Sequence, residues 1–238
     1  MKSGGRNIKK LVDYIKGSEH YIKEFATWEA SEQIIDDDKA FWMLKKPGSQ
    51  YQKVCLYRDG CNMFVYGDYG QFTFDSMTWT GSVYNLQYDN IGYQMEKLNY
   101  ESREALRVFD ESKCVDDIYD WLKDHLEDLY DAEEDIIKKI IKLFKESIYV
   151  YDSKIDDFCY ENNIEELKDI LYFTKKALEN VDEYNWITFL RNSNIEDFDD
   201  PCDSYLWNAG KCIHQRYFIC MYALQVCGEK LSGQKENT

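Results

Sequence analysis

Residues 40–75 read AFWMLKKPGSQYQKVCLYRDGCNMFVYGDYGQFTFD, and this stretch decides the fold class. Four aromatic and β-branched runs (FWMLKK, YQKVCLYR, CNMFVY and QFTF) are separated by Pro47-Gly48, Asp59-Gly60 and Gly67-Asp68-Tyr69-Gly70. Asp-Gly between two such runs is a strong hairpin signal, read here as a type I′ turn with positive φ at both central residues. Pro47-Gly48 suits a type II turn, and GDYG places a glycine at each end of a tight loop. The order predicts an antiparallel meander of four strands, with a fifth around Ser82–Leu86. Val54 and Leu56 share a face with Gln52 and Arg58, and Phe64 and Tyr66 oppose Met63 and Val65. Neither face is cleanly polar, so both are expected to be partly covered, one of them by N-terminal helices.

Outward from the meander the pattern turns helical. Residues 6–30 carry Ile8, Leu11, Val12, Ile15, Tyr21, Ile22, Phe25 and Trp28 at steps of three and four, with Ser18 as an N-cap. From about residue 90 the chain is mostly helical. Residues 115–149 hold Val115, Ile118, Leu122, Leu126, Leu129, Ile136, Ile140, Leu143 and Phe144 at helical spacing, and two helices joined near Tyr130–Glu133 suit ordinary helix lengths better than one. A further helix is predicted over 163–178, with Asn162 and Glu165 arranged like a capping box. Residues 192–203 read as a loop around Pro201. A last apolar helix is predicted over 205–227, ending at Gly228, with a frayed tail. The expectation is an α+β protein: N-terminal helices on an antiparallel four- to five-stranded meander, followed by an all-helical C-terminal half. The domains are read as 1–99 and 100–238.

The 238 residues carry 29 Lys plus Arg and 45 Asp plus Glu, a net charge of −16. With 44% hydrophobic residues and 20 Tyr there is ample material for a core, which excludes wholesale disorder. The charge excludes binding nucleic acid over a broad basic face. No secretory signal and no run of 18 apolar residues is seen, so a cytoplasmic protein without a membrane contact is expected. The eight cysteines are read as reduced thiols, and Cys212, Cys220 and Cys227 as small apolar residues along one buried helix stripe. Spaced over four turns, those three cannot meet at one zinc, even with His214 nearby. His20, His125 and His214 fall in no nucleophile–base pattern. No P-loop, G-x-G-x-x-G or G-x-S-x-G occurs, so no cofactor, metal or catalytic residue is assigned.

The strongest feature outside the core is residues 116–135, DDIYDWLKDHLEDLYDAEED, with ten acids and Lys123 as the only base. As one helix this stretch would be about 30 Å long and carry roughly one net charge per 3.3 Å, against about 3.4 Å for a DNA strand. Asp117, Asp120, Asp124, Asp128 and Asp131 form one stripe opposite Ile118, Leu122, Leu126 and Leu129. Asp36-Asp37-Asp38 and Glu196-Asp197-Phe198-Asp199-Asp200 extend the acidity. Asp68 and Tyr69 in the GDYG loop, and Tyr119, Trp121 and Tyr130 beside the stripe, are candidate anchors for a partner.

Lys46-Pro47-Gly48-Ser49, then Gly67-Asp68-Tyr69-Gly70 with Phe72 and Phe74, then Gly92-Tyr93 with Glu96-Lys97-Leu98 occur in that order. On these residues the segment 41–98 resembles a family of small phage and prophage proteins of poorly defined function. The family typically has Trp-Pro-Gly where this chain has Arg58-Asp59-Gly60, and often Arg where this chain has Asp75. The resemblance implies a phage or mobile-element origin and action inside an infected bacterium, and supplies no catalytic residues. The expected function is that of an acidic, phage-encoded inhibitor of a host defence protein, binding that protein's basic, nucleic-acid-binding surface by mimicking DNA charge. The alternative is a carboxylate- and metal-dependent enzyme acting on nucleotides or nucleic acid. Oligomeric state stays open.

Overall fold

The computed structural model describes residues 10–75, 83–84, 91–128, 130, 132–146, 150–193 and 205–235. They fall into two compact units: residues up to Arg107 together with those from Ile213 onward, and Val108–Cys212. The α+β class is as read from the sequence, but the division differs from 1–99 and 100–238. The last helix belongs with the sheet, and the other C-terminal helices form an insertion.

The first unit holds a five-stranded antiparallel meander in the order β1-β2-β3-β4-β5. Its strands are β1 (Glu29–Ile34), β2 (Lys39–Lys45), β3 (Lys53–Asp59), β4 (Asn62–Gly67) and β5 (Gly70–Phe74). The fifth strand lies at the N-terminal edge, starting at the end of the segment 6–30 that reads as helix. Glu and Gln are good helix formers locally, but pairing of Glu32 with Trp42 and of Ala30 with Leu44 overrides that preference. Of the expected strand around Ser82–Leu86, Val83 and Tyr84 lie in a 3-10 turn, and the other positions lie outside the described residues. Ahead of β1 come a 3-10 turn (Leu11–Tyr14) and helix α1 (Ser18–Ala26), whose N-cap is Gly17 rather than Ser18.

Turn chemistry sets the register. Asp59 pairs with Asn62, so the β3–β4 loop is Gly60-Cys61 and not Asp59-Gly60. Only Gly60 has positive φ, +60°, which is the pattern of a type II′ turn instead of type I′. At Lys46–Ser49 the expected type II turn forms, closed by Ser49 N–H donating to Lys46 C=O at 3.1 Å. Asp36-Asp37-Asp38 is turn chemistry too: Asp36 Oδ1 accepts from the N–H groups of Asp38 (2.9 Å) and Lys39 (2.7 Å).

Alternation puts Ala40, Trp42, Leu44, Val54, Leu56, Met63, Val65, Phe72 and Phe74 on one face, all buried. The helix that covers this face is chiefly α10 (Gln215–Lys235), with α1 and the 3-10 turn beside it. The sequence reading named the N-terminal helices as cover for one face and named no part of α10. Eleven of the 21 residues of α10 are buried, around more than one side, as expected of a helix enclosed by other elements. It runs straight through Gly228, where a Cβ would stand 2.5 Å from Val83 C=O, so glycine serves close approach there and does not end the helix. Cys220 and Cys227 lie buried on α10, while Cys212 precedes it on a short strand. Burial pushes the Cys220 and Cys227 thiols up to about 12, which leaves them protonated and inert at neutral pH. Cys202 lies outside the described residues.

Helices α2 (Ile91–Glu96) and α3 (Tyr100–Leu106) complete this unit, with Asn99 capping α3 through Ser102 N–H at 2.8 Å. Two short strands, β6 (Arg107–Phe109) and β7 (Lys211–Ile213), lead out of it and back and form their own two-stranded sheet.

The second unit contains α4 (Glu111–Asp128), α5 (Glu134–Lys145), α6 (Asp152–Asn162), α7 (Lys168–Leu178), α8 (Glu183–Asn192) and α9 (Tyr205–Asn208). The break between α4 and α5 falls where two helices were expected to join. α7 packs on α4 and α6, and Ile118, Leu122, Leu126, Ile140, Ile155, Ile170, Leu171, Trp186 and Leu206 make the core. Asn162 ends α6 instead of starting α7, because Asn163 takes a left-handed C-cap at φ 54°. The loop read around Pro201 lies mostly outside the described residues.

One carboxylate ties the end of α10 to the sheet. Glu32, only 16% exposed, accepts from Trp42 Nε1 at 2.8 Å and Tyr84 OH at 3.0 Å and lies 3.4 Å from Lys235 Nζ. Burial alone would raise the Glu32 carboxyl, but the hydrogen bonds from Trp42 and Tyr84 and the charge of Lys235 outweigh it and hold it below its ordinary value. The stability this group contributes is therefore present above the unfolded carboxylate range, near pH 4.3, and is lost as pH falls through the lower folded value. Glu32→Gln should cost about 1 kcal/mol at pH 7. It should also flatten the fall in stability below about pH 4.3, measured by urea unfolding across a pH series.

Candidate functional site

Helix α4 carries the acidic stripe, and the structure sorts its members. Asp120, Asp124 and Asp128 are exposed, at successive steps of four residues. Asp116 and Glu127 are exposed as well. Asp117 is not part of that open surface. Its carboxylate is 15% exposed, pairs with Lys113 Nζ and accepts from the Gly210 N–H at 2.8 Å. It fastens the start of α4 to the turn before β7. Asp131 lies outside the described residues, as do Glu196-Asp197-Phe198-Asp199-Asp200.

The acidic run is not one rod. α4 ends at Asp128, and Glu134 and Asp135 belong to α5. Over Asp116–Asp128, about 20 Å of helix, five exposed carboxylates face the single base Lys123. Lys123 lies 3.7 Å from Glu127. The exposed net charge is thus about one per 5 Å, sparser than the whole-run figure and sparser than one DNA strand.

Trp121 cannot anchor a partner. It is 2% exposed, faces the core, and packs on the rings of His125 (4.5 Å between centroids) and Phe173 (5.4 Å). Its position one residue after Asp120 turns it to the inner side of the helix. Tyr119 is half-buried, with Lys145 Nζ 4.9 Å from its ring centroid. Tyr130 is partly exposed. The aromatic ring that stands by the stripe is Tyr205 on α9, 40% exposed. Burial first, and then the charges of Asp117, Asp120 and Asp124, raise its hydroxyl above the usual range. No local pattern in the sequence points to Tyr205, because tertiary packing brings it to a helix some 85 residues away.

In the first unit, the GDYG loop is a two-residue connection between Gly67 and Gly70, which pair with each other. Asp68 is exposed, and its N–H donates to Lys53 C=O at 3.0 Å. Tyr69 is not a free anchor. Its ring packs among Tyr21, Phe25 and Trp28, and its OH donates to Glu24 Oε2 at 3.3 Å. Burial and the Glu24 carboxylate push the phenol well above its ordinary range. Glu24 also lies 3.3 Å from His20 and 3.8 Å from Lys46, so this cluster locks the loop to α1.

His214 precedes α10 and accepts from the Arg216 N–H through Nδ1 at 3.1 Å, which makes it a cap. Among the described residues no three His, Cys, Asp or Glu side chains converge as a metal-binding set. No described helix is long and apolar enough to cross a membrane. Comparison with protein families, with curated proteins and with solved structures finds no match.

The two kinds of aspartate should separate by stability. Asp117→Ala leaves Lys113 and the Gly210 N–H without their partner and should cost about 1–3 kcal/mol in chemical denaturation. Asp124→Asn and Asp128→Asn should stay within about 0.5 kcal/mol of the parent.

Proposed function

We propose that the protein acts by binding, without catalysis, and that the exposed acids of α4 engage a basic, nucleic-acid-binding surface of another protein. The observation that carries this reading is the row Asp120, Asp124 and Asp128, open to solvent and in no ion pair among the described residues, with Tyr205 at its side. Like charges at i,i+4 repel by a few tenths of a kcal/mol per pair, so the row adds nothing to the helix itself. Carboxylates with no structural partner are available to steer and hold a cationic surface. The resemblance of residues 41–98 to phage and prophage proteins supports a setting in which that partner is a bacterial defence nuclease and binding inhibits it.

The proposed mimicry is local. A face of three to five carboxylates with one aromatic neighbour fits a local phosphate-binding patch better than a long DNA groove. The contact set is Asp120, Asp124, Asp128 and Tyr205, with Asp117 and Trp121 as supports.

Tagged protein should retain a nucleic-acid-binding partner from bacterial lysate at low salt and release it at high salt. Reversing Asp120, Asp124 and Asp128 to Lys should abolish retention while leaving the circular dichroism spectrum unchanged. Retention of the same partner by the reversed variant, or retention indifferent to salt, would overturn the proposal.

A further inference from the structure

A cleft in the sheet-containing unit, unrelated to the acidic face, has the composition of a small-molecule site. It encloses about 590 Å³ between the edge strand β5, helix α3 and the first turn of α10. That lies within the usual range of ligand pockets, roughly 300–1,000 Å³. Its apolar lining includes Phe64 and Tyr66, each 39% exposed although both belong to a sheet rich in buried aromatics. Its polar lining is Gln71, Thr73, Glu101, Ser102 and Arg216.

One of these groups is a charge held in place, and another has an unused backbone edge. Arg216 donates from one terminal nitrogen to Ala105 C=O at 2.5 Å, which fixes the guanidinium plane. Its Nε is buried, without an acceptor among the described residues, and a ligand in the cleft does not reach it. Arg216 also stands in the first turn of α10, where the partial positive charge of a long helix adds to its own. On β5, strand alternation turns the backbone of Gln71 and Thr73 away from β4. Thr73 is satisfied there, its N–H donating to Ser102 Oγ at 2.8 Å and its C=O accepting from Asn99 N–H at 2.9 Å. Gln71 has neither partner among the described residues, and its amide side chain is exposed beside it.

A ring-stacking surface, a guanidinium held by Ala105 C=O, and an amide edge without a partner among the described residues recognise one kind of molecule: a planar heterocycle joined to an anion. Glu101 would repel a second anionic group but accepts well from hydroxyl and amino donors. We infer that this cleft binds a mononucleotide, with the base against Phe64 and Tyr66 and read by Gln71, the sugar hydroxyls near Glu101, and the phosphate on Arg216. Arginine suits that last role because its planar fork matches phosphate oxygens.

The test is calorimetric titration of the full chain with the four ribonucleoside monophosphates, with the parent nucleosides and inorganic phosphate as separate arms. At least one monophosphate should saturate, with its nucleoside and free phosphate each weaker by about tenfold or more. Arg216→Lys and Phe64→Ser should each weaken it by roughly tenfold, the latter through lost stacking. Phe64 is exposed, so Phe64→Ser keeps the test valid if Arg216→Lys disturbs the Ala105 contact. The Asp120, Asp124 and Asp128 reversal should bind nucleotide as the parent does, which separates this site from the acidic face. No saturation by any monophosphate, phosphate alone binding as tightly, or full binding by Phe64→Ser would overturn the inference.

Discussion

Burial of α10 beneath the β1–β5 meander is the interaction on which the fold depends. A five-stranded sheet with Trp42, Leu44, Leu56, Met63, Val65 and Phe74 on one face cannot leave that face in water. The elements near it in sequence, a 3-10 turn and a nine-residue helix, are too small to cover it. The chain solves this with its last long helix, supplying Tyr217, Cys220, Met221, Leu224 and Cys227 from residues 150 or more positions beyond β4. The chain between α3 and α10 must therefore leave the sheet-containing unit and return to it. The helical unit is the consequence: an insertion with its own core, entered through β6 and left through β7.

That arrangement determines which charges are free. The chain is strongly acidic, yet many of its acids have structural tasks: Glu32 ties α10 to β2, Glu24 holds the GDYG loop, Asp36 builds a turn, Asp117 pins α4, and Asp182 caps α8. The acids of α4 that remain without such a task lie along one exposed side of that helix. The proposed contact rests on that remainder and not on acidity as such. The same sorting applies to aromatics. Trp121 and Tyr69 are committed to packing, whereas Tyr205, Phe64 and Tyr66 keep exposed ring surface.

Much of the architecture was legible because it rests on local patterns. The hairpins are written in Pro47-Gly48, Gly60 and the GDYG loop, and the helices of the second unit in three- and four-residue apolar spacing. What was not legible is non-local. β1 lacks a β-branched run and is a strand because β2 pairs with it. The partner of the sheet face could not be assigned without knowing which helix returns to it. The acidic stripe was readable as a stripe, but the difference between Asp117 and Asp124 depends on Gly210, far along the chain. Trp121 was misplaced for a simpler reason: at one residue from Asp120 it shares the helix's inner side with Ile118 and Leu122, so its own periodicity marks it as core. The cleft draws on β4, β5, α3 and Arg216, and no single window of sequence contains it.

Hydrogen exchange followed by mass spectrometry on the full chain tests the central claim most directly. The account predicts that the amides of residues 215–231 exchange with the same protection as those of β2 and β3, as one cooperative unit. The amides of α4 and α7 should form a second unit with its own protection. Exchange of α10 in step with α4 and α7, or far faster than the sheet it is held to cover, would contradict the account.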